Sequence, residues 1–252
     1  MNYLQSEKIK ELEIKADEIR KLMSGLLLEE NEDYSNASLE AINLFTLLYF
    51  HVLKHDPKNP EWKERDRIIL SNNYISPALY ATMAHAGYLT VEELKNLYEA
   101  ELRSQDYYQR RKFLPGIEIN SGSHGFGLSQ AVGMTIADKI DRDYRKSSDK
   151  FFYCFLDNQE LQEEQNWEAV KIAGKEKLNN LITVLHRNSL QKSNFLEDAI
   201  LFRNFVDKFE AFNWHVLNAN SSNFDDMDNV IWQAQSVFAK PTVIVMQNNG
   251  GL

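Results

Sequence analysis

Apolar residues recur at three- and four-residue steps between Ser6 and Leu28, at Ile9, Leu12, Ala16, Ile19, Leu22, Met23 and Leu26, with Lys and Glu filling the other face. That period predicts an amphipathic helix lying against a core. Ser38 reads as the N-cap of a second helix running through Leu53. This helix is apolar nearly all round, so burial is expected, and the breaker-rich HDPKNPEW ends it. Arg67-Ile68-Ile69-Leu70 is a short apolar run after a charged lead. Ser76-Pro77 opens a helix that stops at Gly87, and Thr90 with Glu93 forms a capping-box signature for the next helix. The charged, aromatic stretch from Tyr98 to Lys112 shows no clear period.

Beyond Gly122, Gly125 and Gly127 comes the small-residue helix SQAVGMTIADKID. Two continuous apolar runs follow, Phe151–Leu156 (FFYCFL) and Leu181–Leu185 (LITVL), with the helical EEQNWEAVKIAGKEK between them. Runs that are continuous rather than alternating suit parallel strands covered on both faces. Strand, helix, strand is a right-handed crossover unit. A helix around Ala199–Phe212, a strand Trp214–Leu217, a helix Met227–Phe238 and a strand Thr242–Met246 continue the alternation. The expected class is α/β, a mostly parallel sheet with helices on both faces. No repeat, linker or low-complexity tract interrupts it, so residues 1–252 read as one domain with a helical lead-in over 1–36.

Composition narrows the function classes. With 28 Lys+Arg against 37 Asp+Glu the net charge is −9, which argues against a nucleic-acid partner or an anionic membrane surface. The single cysteine, Cys154, sits inside FFYCFL and reads as a reduced, buried thiol of a cytoplasmic protein. The charge-alternating N-terminus lacks the apolar core of a signal peptide. The longest apolar stretch, Leu44 to Leu53, falls short of the ~20 residues that cross a bilayer.

In open α/β sheets ligands collect at the carboxyl ends of the strands. Here those ends carry Asp157, Asn158, Gln159 and Glu160, and His186, Arg187, Asn188 and Ser189. Asn158 and Asn188 lie one crossover unit apart, so their carboxamide oxygens could converge on a hard cation. The plainer alternative is that these residues turn the chain and cap the following helices. The Gly122–Gly127 loop is equally open, as a phosphate-cradling turn or a tight strand-to-helix connection.

Five ordered blocks carry a family resemblance. LYFHVLKHDPKNPEWKERDRIILS, SPALYATMAHAGYLTVEELK, PGIEINSGSHGFGLSQAVGM, LDNQELQEEQNWEA and LNNLITVLHRNSLQ resemble the N-terminal third of transketolases, the domain that binds the diphosphate of thiamine diphosphate. The match runs from about Ala37 to Val245, and the length is similar to that of the N-terminal subunit of a split, two-chain transketolase. The resemblance implies a thiamine-diphosphate-binding fold with the diphosphate and its Mg²⁺ on this chain. The aminopyrimidine and the carboxylate that activates it would come from a separate C-terminal, pyrimidine-domain subunit, in a heterotetramer. Carried over, it assigns Gly122, Ser123, Gly125, Gly127, Asp157, Gln159 and Glu160 to the cofactor. Asn158, Asn188 and the Leu190 carbonyl are assigned to the metal.

The departures bear on chemistry. Where the family reads Gly-Asp-Gly, this chain reads Asp157-Asn158-Gln159, so the metal position loses a charge. Gln159 adds a Cβ that would cost about 1–2 kcal/mol in a left-handed conformation and would hinder a phosphate. Family histidines are replaced by Tyr34, Tyr74 and Ser222, and Tyr107–Leu114 holds no equivalent of another, which removes acid-base groups of ordinary ketol transfer. Phe126 enters the Gly-rich loop. His124 and His186 are new histidines near the site, either incidental or a rebuilt proton-transfer pair. The scaffold residues Leu161, Gln162, Glu163, Gln165 and Trp167, with Pro60, Trp62, Arg65 and Arg67, still match.

Two functional readings result. In one, the subunit has an impaired cofactor site and assembles with or regulates its pyrimidine-domain partner. In the other, it is the active half of a divergent thiamine-diphosphate-dependent transferase that moves a two-carbon ketol or acyl unit between unusual substrates.

Overall fold

The continuous apolar runs become the inner strands of a five-stranded sheet. The computed structural model of the chain describes residues 4–26, 32–71, 75–103, 114–118, 126–145, 150–186 and 205–247. Its strands are β1 (Arg67–Leu70), β2 (Phe152–Asp157), β3 (Leu181–His186), β4 (His215–Asn220) and β5 (Thr242–Gln247), ordered β1-β2-β3-β5-β4. Every pairing is parallel, as the crossover pattern requires. β2 and β3 are buried at all positions. The edge strand β4 is only half-buried, so it tolerates Asn218 and continues to Asn220, where the apolar pattern alone stops it at Leu217. Trp214 stands just ahead of it and donates its indole N–H to the Val170 carbonyl at 2.8 Å.

Among the described residues, eight helices flank the sheet in sequence: α1 (Ser6–Leu26), α2 (Glu32–Leu47), α3 (Ser76–His85), α4 (Val91–Arg103), α5 (Gly127–Arg145), α6 (Glu164–Glu176), α7 (205–211) and α8 (Phe224–Gln235). Side chains alternate across the strands and so divide the core in two. Tyr153, Phe155, Ile182, Val184 and Ile244 pack with α1, α2, α3 and α8. Cys154, Leu156, Leu185, Val243 and Val245 pack with α5, α6 and α7. Burial pushes the Cys154 thiol well above its ordinary value, which keeps it protonated and inert.

Local rules explain most helix ends. Thr90 and Glu93 close the expected box: Glu93 Oε2 accepts from the Thr90 N–H at 2.7 Å and Thr90 Oγ1 from the Glu93 N–H at 3.1 Å. Pro77 lies in the first turn of α3, and Gly87, at φ +90°, takes the left-handed turn after it. α8 starts at Phe224 rather than Met227 because Asn223 caps it, its Oδ1 accepting from the Asp226 N–H at 3.1 Å. α2 departs from expectation. It begins at Glu32, and Ser38 is a buried residue inside it rather than its cap. No Gly or Pro separates Glu32 from Ser38, so the helix propagates through that segment. A single π-turn, Leu48–Val52, ends it. α4 reaches Arg103 from Val91, and the remainder of the stretch without period lies outside the described residues.

The segment before β1 braces the sheet's amino end. Asp66 accepts from the N–H of Lys54 at 2.8 Å and of Phe151 at 2.7 Å, tying β1 to β2. Burial raises its carboxyl above the usual range against these two bonds. Arg65 and Arg67 both pair with Glu118. No helix among the described residues is long and apolar enough to cross a membrane.

Gly174 on α6 shows how tightly one face is packed, since a Cβ there would stand 1.8 Å from the Phe212 carbonyl oxygen. Gly174→Ala is expected to destabilise the chain by about 2–3 kcal/mol through overpacking. Gly133→Ala, with nothing within 4 Å of the added carbon, is expected to stabilise α5 by about 0.5–1 kcal/mol. Urea denaturation of the two variants measures both, and equal shifts would contradict this packing.

Candidate functional site

Parallel pairing brings the carboxyl ends of all five strands to one edge. The register places Asp157 beside His186 and His186 beside Met246. His186 points toward α2, where its Nε2 lies 3.6 Å from Glu40 Oε2. Its burial holds the imidazole below its ordinary value, and Glu40 opposes that shift. Neutral imidazole is therefore the favoured form.

At the end of β2 the sequence Asp157-Asn158-Gln159-Glu160 builds a reciprocal box on a 3₁₀ turn, Glu160–Gln162. Asp157 Oδ1 accepts from the N–H of Gln159 at 2.8 Å and of Glu160 at 3.0 Å. Glu160 Oε2 accepts in return from the Asp157 N–H at 3.0 Å. Glu160 Oε1 takes the Ser71 hydroxyl at 2.5 Å, and Ser71 Oγ accepts from the Gly127 N–H at 3.2 Å. The end of β1, the turn after β2 and the start of α5 thus share one hydrogen-bonded chain.

Two further bonds tie in α6. Asn166 Nδ2 donates to the Glu160 carbonyl at 2.6 Å and Trp167 Nε1 to the Leu161 carbonyl at 2.7 Å. Asp157 is 5% and Glu160 1% exposed, so two carboxylates are held inside this edge. Gly127 is required where it stands, because a Cβ would approach Ser71 Cα to 2.3 Å. Phe126, just before it, is half-exposed.

Of the residues that the sequence nominates, Asp157, Asn158, Gln159, Glu160, Gly127 and His186 meet at this edge. Gly122, Ser123, His124, Gly125, Asn188 and Leu190 lie outside the described residues, as does Tyr74. Asn158 Oδ1 is buried with no hydrogen-bond partner among the described residues. Gln159 has φ −70° and ψ −37°, so the left-handed strain that a Cβ would have met does not arise. Ser222 is exposed, its N–H bonded to Asn220 Oδ1 at 3.0 Å.

Ser71 and Glu40 have no mark in the sequence, since their partners are distant along the chain. The Asp157–Glu160 box does have one, the spacing of an acidic cap and a Glu three residues later.

Residues 12–251 match the family described as "Transketolase, thiamine diphosphate binding domain". The chain is 32% identical over 246 residues to the 6-deoxy-6-sulfo-D-fructose transketolase subunit SqwG of Clostridium sp. (strain MSTE9), covering 98% of this chain and 87% of that one. It is also 32% identical over 246 residues to one subunit of the apulose-4-phosphate transketolase of Actinobacillus succinogenes, covering 96% and 85%. Among solved structures, the transketolase of Campylobacter jejuni superposes with a TM-score of 0.77 at 28% identity, over 93% of this chain and 37% of that one. The chain thus spans most of the subunit-type relatives and little more than a third of the larger enzyme. Fold and sequence agree, and the chain belongs to the transketolase thiamine-diphosphate-binding-domain family.

Proposed function

We propose that this chain is the N-terminal subunit of a two-chain transketolase-like complex. Its main work is to assemble with or regulate a pyrimidine-domain partner, and its own cofactor and proton-transfer site is impaired. The observation that carries the reading is coverage. The chain accounts for 87% and 85% of two relatives named as subunits, but for 37% of a transketolase chain that is much longer. On this reading a second polypeptide completes the site. The complex would be a heterotetramer in the cytoplasm.

On this reading the cofactor side of the site comprises Gly122, Ser123, Gly125, Gly127, Asp157, Gln159 and Glu160. The Mg²⁺ side comprises Asn158, Asn188 and the Leu190 carbonyl. The described residues fit the metal better than the diphosphate. Asn158 Oδ1 is a buried acceptor with no protein donor among the described residues, which suits a hard cation. The N–H groups of Gln159 and Glu160 are already bonded to Asp157, so as it stands this turn does not fit a diphosphate. The uncharged Asn158 weakens the metal position further, and Tyr34, Tyr74 and Ser222 replace groups that would titrate near neutral pH.

The chain's own residues build the scaffold: Glu160 and Ser71 fix the strand ends, and Trp167, its ring 5.5 Å from that of Phe209, holds α6 in place. The same orphaned Asn158 oxygen favours the second reading, an active half that binds thiamine diphosphate in altered form and transfers a two-carbon ketol or acyl unit to an unusual acceptor.

Co-expression with a C-terminal, pyrimidine-domain transketolase subunit separates the two readings. The expected outcome is one stable hetero-oligomer whose melting temperature does not move when thiamine diphosphate and Mg²⁺ are added. A cofactor bound at a hundredfold excess over its Kd would add about 2.7 kcal/mol, so a clear upward shift supports the active half, and failure to assemble overturns both. A second expectation concerns the metal position. Asn158→Asp should tighten Mg²⁺ binding by about tenfold, or about 1.4 kcal/mol, in a direct metal titration of the complex. Unchanged affinity would remove Asn158 from that position.

A further inference from the structure

Among the described residues, backbone donors at the end of β2 and the start of α5 are answered from within. A β-strand leading into a helix normally leaves backbone N–H groups pointing outward, and these are what draw a phosphate. Here four such groups have internal acceptors: Gly127 on Ser71 Oγ, Asp157 on Glu160 Oε2, and Gln159 and Glu160 both on Asp157 Oδ1. Both acceptor carboxylates are buried, at 5% and 1% exposure.

The geometry points to Asp157 as a built-in anion, a side chain that occupies the donors of the β2–α6 turn and so excludes a diphosphate from this strand end. This rests on reading the edge as the place where a diphosphate would dock, and it identifies the residue that closes it. Two effects act together. Asp157 Oδ1 stands 2.8 Å and 3.0 Å from the two nitrogens, the distance that a phosphoryl oxygen would need. Its negative charge also opposes an incoming polyanion at short range, inside an edge that already holds Glu160.

Gln159 plays no part through strain, since its backbone is right-handed. The exclusion belongs to Asp157 and not to the residue after it. A diphosphate can use these donors only after Asp157 turns away, and that leaves a mostly buried carboxylate to be satisfied elsewhere.

The distinction between occupied donors and simple charge is testable with three forms of the full chain: native, Asp157→Ala and Asp157→Asn. In Asp157→Asn a neutral Oδ1 still accepts both N–H groups, whereas Asp157→Ala frees them. Amide hydrogen exchange at Gln159 and Glu160 and calorimetric titration of inorganic pyrophosphate with Mg²⁺ are the two readouts. The native chain is expected to protect both amides and to show no pyrophosphate binding at millimolar concentration. Asp157→Ala is expected to exchange at least tenfold faster at both amides, to regain protection when pyrophosphate is added, and to bind it at least tenfold more tightly than the native chain. Asp157→Asn should stay close to native in amide protection and should gain only a small part of the pyrophosphate affinity that Asp157→Ala gains.

Freely exchanging amides in the native chain, or equal pyrophosphate affinity in native and Asp157→Ala chains, would overturn the assignment. So would freed amides in Asp157→Ala without any gain in binding. If Asp157→Ala does not fold, the native chain and Asp157→Asn still decide: tight pyrophosphate binding by native, or a large gain in Asp157→Asn, shows that occupied donors do not exclude the ligand. None of these readouts uses the partner subunit. Failure of the two chains to assemble would count against the proposed function and leave this result standing.

Discussion

Four elements are tied together around the buried residue Glu160. One carboxylate oxygen holds the Ser71 hydroxyl after β1 and the other holds the Asp157 N–H at the end of β2, while Ser71 in turn anchors the first N–H of α5. Its carbonyl receives Asn166 from α6. A carboxylate this deep is tolerable only because its oxygens are bonded, and loss of such a partner commonly costs about 3–5 kcal/mol. The position of the carboxyl edge, and with it every candidate residue there, depends on this one group. The sheet supplies the rest by burying β2 and β3 on both faces, so the strands cannot slip without moving an apolar run into the wrong layer.

The helical layer over the other face is tied by a different device. Among the described residues, three histidine–carboxylate pairs cross between elements there: His186 with Glu40, His51 with Asp228 at 3.3 Å, and His85 with Glu18 at 3.9 Å. Of these, the first reaches the carboxyl edge. It joins the end of β3 to α2 and places a buried imidazole beside Asp157 in the register. Among the described residues this edge carries Asp157, Glu160 and Glu40 beside a histidine whose imidazole burial holds below its ordinary value.

Much of this is legible in the amino-acid sequence, for physical reasons that differ by element. The strands announce themselves because a run such as FFYCFL has only one place to go in a parallel sheet. The Thr90–Glu93 box is local chemistry and appears as written. The start of α2 is hidden because Ser38 looks like a cap from its neighbours alone, and only the fold shows it buried inside a longer helix. The end of β4 is hidden because an edge strand accepts the polar Asn218 that a central strand would not. At the site, family resemblance draws attention to Asn158 and Gln159 as departures. The more consequential residue is Asp157, whose effect depends on the two N–H groups that follow it and not on its charge pattern. Glu40 and Ser71 leave no trace in the sequence, because each meets its partner only through tertiary packing.

The chain thus keeps a transketolase-family scaffold, and Asp157 is proposed to fill the place where a diphosphate would dock. A crystal structure of the two-chain complex, grown with millimolar thiamine diphosphate and Mg²⁺, tests that arrangement most directly. The predicted result is an intact Asp157–Glu160 box with Asp157 Oδ1 on both backbone nitrogens and no diphosphate density at the end of β2. A diphosphate seated on the Gln159 and Glu160 N–H groups, with Asp157 rotated away, would contradict it.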